Sequence, residues 1–199
     1  MIPTGRVPAL YNPNDGAVVY ESAICNEYLC DLVAGENEAA SNSSTNASKK
    51  LPNSDLFPNL SPKFRSQIRL WNDQFDKVIF PKVRAYILNE DTEVDQKLRQ
   101  ECCEALELLQ GGIKGPYCFG ENFAVADAHV VPFVMRWLAQ LKHIKGLDLR
   151  DEPRFVHLCE WYDACQARGS VQKATIDEET IVRVHYEKVA FLKSIAKSS

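Results

Sequence analysis

The sequence predicts a mostly helical protein, a bundle of about five helices behind a small α/β unit made of one β-hairpin and one helix. Three observations carry this. From Phe64 onward apolar residues recur at three- and four-residue steps, the spacing of a single helix face. Near the start, Val7-Pro8-Ala9-Leu10-Tyr11 and Ala17-Val18-Val19-Tyr20 flank the turn-rich Asn12-Pro13-Asn14-Asp15-Gly16, which reads as a hairpin. Between the two regions, Glu36 to Lys50 offers almost nothing to bury.

After the hairpin, a helix is expected from Ser22, with Ile24, Tyr28, Leu29 and Leu32 on one face and Gly35 as its stop. Residues 36–55 are expected to be a flexible linker. Ser61-Pro62 then reads as a cap followed by proline at the first helical position. It opens one long amphipathic helix through Phe64, Ile68, Trp71, Phe75, Ile79, Val83, Tyr86 and Ile87, bent at Pro81 because proline removes a backbone donor. A second helix is predicted from about Thr92 to Gln110, ending at Gly111-Gly112, and a third from Ala124 to Leu141, apolar enough to be central. Pro153 begins a fourth that stops near Gly169, and the last starts at Asp177. Residues 56–199 are thus read as one all-helical domain.

Composition narrows the function. Of 199 residues, 45% are hydrophobic and 25% charged, as in an ordinary globular chain, and no apolar run reaches membrane-span length. The start has neither a signal-peptide core nor a transit-peptide face, so a cytoplasmic protein is expected, with no membrane partner. A net charge of −4 with scattered lysine and arginine argues against nucleic acid. Seven cysteines without a CxxC pair, and four well-separated histidines, suggest reduced core thiols and no metal site. The sequons at Asn42 and Asn46 are cheap matches in an Asn/Ser-rich tract.

Two words of the chain lie at the hairpin, Gly5-Arg6-Val7-Pro8-Ala9-Leu10 and Tyr20-Glu21-Ser22-Ala23-Ile24-Cys25-Asn26-Glu27-Tyr28-Leu29. Further along, Leu56-Phe57-Pro58 leads into Arg65 to Trp71, Phe119-Gly120 precedes Ala126-Asp127, and Trp161-Tyr162 precedes Arg168-Gly169-Ser170-Val171. In this order and spacing they resemble the cytosolic glutathione transferase family, omega class and related thiol-dependent reductases. The resemblance implies that residues 1–35 are the second half of a thioredoxin-like, glutathione-binding domain, and that 56–199 form the family's helical C-terminal bundle.

It also implies a site. In the family the Val7-Pro8 bond is cis and exposes the Val7 backbone to the cysteinyl part of glutathione, a short strand-like partner. Glu21 would pair with the γ-glutamyl ammonium, while Ser22 and the first helical amides would hold its carboxylate. Arg6 would reach the glycyl carboxylate. Taken singly, Val-Pro before a turn reads as a strand edge, Ser22 as an N-cap and Arg6 as a solvated charge. On the long helix, Tyr86 or Phe75 is the candidate for lining the apolar substrate site. Asp127 is expected as the cap of the central helix, with Ala124 standing where the family has a reciprocal hydroxyl. An Asp127–His129 acid–base pair is disfavoured, since residues two apart on a helix face different ways.

The family's catalytic serine, tyrosine or cysteine lies on a strand-helix segment preceding these words, so no residue here is expected to be catalytic. Cys25 is the nearest substitute, as a thiol in the first turn of a helix. Two readings remain open: an enzyme that uses glutathione as co-substrate with a small electrophile or disulfide, or a non-catalytic module for dimerisation or docking in a larger assembly. An open strand edge at Val7 to Tyr11 and an uncovered face at Ile24 to Leu32 are expected to invite a partner, a second copy included.

Overall fold

Asn12 to Gly16 turn the chain because their side chains hold their own backbone. Asn12 Oδ1 accepts from the Asn14 amide and Asp15 Oδ1 from the Ala17 amide, at 3.0 and 2.8 Å, with Gly16 in the left-handed region. This is seen in a computed structural model that describes residues 7–41 and 61–196. The turn joins β1 (Ala9–Tyr11) to β2 (Val18–Tyr20), antiparallel, with Ala9 opposite Tyr20 and Tyr11 opposite Val18. Helix α1 (Ser22–Ser41) follows at once. It runs past Gly35, where the sequence led us to expect a stop. A glycine inside a helix costs only about 1 kcal/mol relative to alanine, and Glu36, Glu38, Ala39 and Ala40 beyond it are good helix formers. The expected linker beyond Ser41, and Arg6, lie outside the described residues.

The long helix is present but in three pieces. It comprises α2 (Pro62–Gln74), a π-helical turn at Phe75–Ile79 and α3 (Phe80–Leu88). Ser61 caps it, its hydroxyl accepting from the Phe64 amide at 3.2 Å. The Phe80 amide donates to Phe75 O, a five-residue closure. The wider turn sits immediately before Pro81, whose ring would otherwise meet the carbonyl four residues back. The expected bend at Pro81 is therefore a local widening of the helix, while Phe75, Ile79, Val83 and Tyr86 all stay on its buried face.

Helix α4 (Thr92–Gly112) packs on α3, and α5 (Val125–Lys145) runs through the centre with most of its residues buried. Short 3-10 turns at Leu149–Asp151 and Pro153–Phe155 precede α6 (Val156–Gln166), so Pro153 opens a turn and not the helix itself. Helix α7 (Gly169–Ala174) was not legible in the sequence, and α8 (Glu178–Ala196) closes the bundle against α5. The Asp177 carboxylate accepts from the Thr180 amide at 2.7 Å and starts α8.

The core is continuous from α2 to α7. Phe75 stacks on Trp137 at 5.5 Å between ring centres and tilts against Phe133 at 5.3 Å. Asp127 holds the centre together. It is fully buried, and its carboxylate accepts from the Cys118 amide at 2.7 Å, the Ala124 amide at 2.8 Å and Trp161 Nε1 at 2.7 Å. The aspartate half of a capping box is thus made, whereas Ala124 has no oxygen to return the bond.

Candidate functional site

The register of the hairpin brings the sequence words together. Because Ala9 lies opposite Tyr20, Val7-Pro8 and Glu21-Ser22 fall at the same end of the two-stranded ribbon, where α1 begins. The Val7-Pro8 peptide is cis, and Val7 is 91% exposed. Glu21 has φ of 71°, the left-handed region that costs a side-chain-bearing residue of order 1 kcal/mol. Among the described residues it is the one non-glycine held there. Its carbonyl accepts from the Cys25 amide at 2.8 Å, so the strained residue also closes the first turn of α1. The amides of that turn point outward as a partial positive charge.

Beside this helix start lies a cleft of about 380 Å³ between α1 and α2, lined by Ala23, Ile24, Glu27, Asn72, Asp73 and Asp76 with Arg69. Arg69 grips Glu27 through two nitrogens, at 3.0 and 2.7 Å, and Arg65 meets Asp31 at 2.8 Å, so α1 is clamped to α2. Asn72 is buried, and its Oδ1 has no donor among the described residues. Asp76 Oδ1 lies 3.0 Å from Nε2 of the buried His129. His129 therefore pairs across to α2, and Asp127 and His129 serve separate networks. Each of the three carboxylates on the cleft has a partner, Glu27 in Arg69, Asp73 in Lys77 and Asp76 in His129.

Cys25 is buried, and its thiol donates to Val19 O at 3.6 Å, which fits a packing role. Burial, with Asp31 and Glu27 nearby, pushes the Cys30 thiol up to about 11, and burial takes Cys102 to about 12 and Cys118 and Cys165 upward as well. These groups stay protonated near neutrality and are poor nucleophiles. All seven cysteines are free thiols.

Phe75 and Tyr86, the candidates for the apolar substrate site, are instead core residues, because the face of the helix that carries them is the one turned onto α4 and α5. Tyr86 lies beneath Lys145, whose ammonium sits 4.6 Å from the ring centre. The neighbouring face of α3 does line an apolar cleft of about 380 Å³, with Phe80 and Ile87 opposite Phe133 and Trp137 of α5 and Ile181 and Val184 of α8. The exposed Arg84, one turn from Phe80, marks the face of α3 that meets solvent. Among the described residues there is no group of three metal-ligating side chains, and no helix is long and apolar enough to cross a membrane.

No family model matches the chain. Its sequence is similar to a probable glutathione S-transferase of Glycine max, 29% identical over 110 residues that cover 55% of this chain and 48% of the relative. It is also similar to the probable glutathione S-transferase parC of Nicotiana tabacum, 27% identical over 179 residues, 89% of this chain and 70% of the relative. The chain thus spans about half to about two thirds of the length of these relatives. The fold is that of the glutathione transferases. Glutathione transferase Omega 3C from Trametes versicolor superposes with a TM-score of 0.70 at 24% identity, over 97% of this chain and 73% of that one. A rice transferase solved in complex with glutathione gives a TM-score of 0.66 at 20% identity, over 95% and 75%.

Proposed function

We infer that this chain, whose fold and relatives are those of the glutathione transferases, is one of them, and that the end of its hairpin binds glutathione. Val7 offers its backbone to the cysteinyl part, and Pro8 sets the turn that exposes it. Glu21 pairs with the γ-glutamyl ammonium, and Ser22 with the first amides of α1 takes the carboxylate beside it. Arg6, outside the described residues, serves the glycyl carboxylate. One observation carries the reading: antiparallel pairing sets an exposed cis Val7-Pro8 beside Glu21, a residue held in the left-handed region at a helix start. A strained residue kept at a helix start is worth its cost where a ligand uses it.

Residues 1–35 then act as the glutathione-binding part and 56–199 as the helical domain, with α1 running on through Ser41 into the stretch between them. The second substrate, a small electrophile or a disulfide in the omega-like reading, occupies the apolar cleft between α3, α5 and α8. No residue of the chain is assigned the thiol-activating role. The protein works in the cytoplasm, where its thiols stay reduced.

Calorimetric titration of the 199-residue chain with glutathione tests this. Saturable binding that Glu21→Ala reduces at least tenfold supports it, and a folded chain that takes up no glutathione refutes it. A second reading, a non-catalytic module that docks or dimerises, is favoured by Val7, Tyr11, Ile24 and Leu29, all exposed on the hairpin and α1. The titration separates the two, since a docking module has no need of Val7, Glu21 and Ser22 and predicts self-association without glutathione binding.

A further inference from the structure

The apolar cleft between α3, α5 and α8, which the proposed function gives to the second substrate, carries a charge pattern of its own. Its walls are aromatic: Phe80 lies 5.2 Å from Phe133 and 6.3 Å from Trp137 between ring centres. Ile87, Ile181 and Val184 complete the apolar lining. The volume of about 380 Å³ is within the range of small-ligand pockets. At the mouth stand Arg84, Arg136 and Lys188, all exposed, and no aspartate or glutamate is on the lining.

Elsewhere on the bundle such cations are mostly matched. Arg65, Arg69, Arg99, Arg150, Arg154 and Arg183 each pair with a carboxylate. Among the described residues Arg84 and Arg136 meet no carboxylate, and Lys188 makes no ion pair either. A chain of net charge −4 thus gathers unmatched cations around one apolar opening. A cleft of one sign of charge with low-dielectric walls focuses the field at its mouth. A group on the lining feels that field. The buried His185 imidazole is held below its ordinary value by burial first and by Lys188 next, with Lys145 adding to the effect and Glu90 opposing it.

We propose that the second substrate is an aromatic electrophile bearing a carboxylate, its ring against Phe80, Phe133 and Trp137 and its charge held at the mouth by Arg84, Arg136 and Lys188. This rests on the reading of the cleft as the second-substrate site, and it makes the three cations the determinants of specificity there. The aromatic walls take a neutral ring as readily as a charged one, so the selection comes from the mouth. Each cation is exposed and is worth about two- to fivefold in affinity, and together they separate an anion from its neutral analogue. Solvated charges without this role would separate neither.

Tryptophan fluorescence of the full chain, titrated with two planar probes of one shape, tests this: 4-methyl-3-nitrobenzoate and the neutral 2,4-dinitrotoluene. A carboxylate stands in one where the other has a nitro group of like size and planarity, so the pair differs in charge, and neither carries a leaving group. Both quench Trp137, and Trp137→Phe removes that quenching. The benzoate binds about fivefold or more tightly than the neutral probe. Arg84→Gln and Arg136→Gln each weaken the benzoate about two- to fivefold and leave the dinitrotoluene within about twofold. Arg183→Gln, exposed on α8 outside the cleft, takes the same charge from the chain and changes neither. Equal affinity for the two probes overturns the proposal and leaves the cleft its role, as does an Arg183→Gln change that weakens the benzoate as much as Arg84→Gln does. If neither probe quenches Trp137, the cleft is not the second-substrate site and both readings fall.

Discussion

Removing the Asp127 carboxylate should cost more stability than any other single polar change in the helical domain. Its oxygens are the acceptors for three donors on three segments: the Cys118 amide before α5, the Ala124 amide at the start of α5 and Trp161 Nε1 on α6. In Asp127→Ala all three are left buried without an acceptor, at about 1–3 kcal/mol each. Some relief through water leaves a loss of roughly 4 kcal/mol, a large part of the roughly 5–15 kcal/mol that holds a domain folded. Asp127→Asn keeps one oxygen for Cys118 and Trp161 but turns an NH2 group toward the Ala124 amide, so about 2 kcal/mol is expected. Urea unfolding followed by helical circular dichroism and by Trp fluorescence measures both. The order Ala worse than Asn worse than wild type is predicted. A loss below 1 kcal/mol for Asp127→Ala would refute the view that this carboxylate ties α5 and α6 together. Conversely, Ala124→Ser restores the missing half of the capping box and should add about 1 kcal/mol.

Gly112→Ala should destabilise by roughly 1–3 kcal/mol, because the new methyl meets the Trp71 ring, whereas Gly111→Ala meets nothing and should be neutral or mildly stabilising. The same urea series separates them. Burial, helped by Lys188 and Lys145 and opposed by Glu90, holds His185 below its ordinary 6.5. The unfolded chain therefore binds more protons, so stability should fall as pH drops from 6.5 through the lower folded value, a decline that His185→Gln removes. Cys102, Cys118 and Cys165, buried and held as thiols, should react with a disulfide reagent only as fast as the bundle opens, so that their labelling tracks urea-induced unfolding.

The helical bundle was readable because α2 to α5 carry long amphipathic or apolar periods, whose signal survives errors of a few residues. The π-turn at Phe75–Ile79 was not, since the hydrophobic pattern is the same in a continuous helix and only the fit of Pro81 into its neighbours widens the turn. Helix α7 was missed because six residues are too few to show a period. At the candidate site, Val7, Pro8, Glu21 and Ser22 were legible as family words, and the register accounts for their convergence in space. What the sequence could not show were contacts between distant segments: His129 with Asp76, Asp127 with Trp161, and Arg69 with Glu27. Pairings at such separations follow from how helices pack and leave no local pattern. The inward turn of Phe75 and Tyr86 has the same origin, because either face of an amphipathic helix looks plausible until its neighbours are known.

Amide chemical shifts of the isotopically labelled chain, followed as glutathione is added, test the central claim most directly. The account predicts saturable shifts at Val7, Glu21, Ser22 and Ala23, with the amides of α6 and α7 unmoved. Shifts absent from the hairpin end and the start of α1, or confined to the bundle clefts, would contradict it.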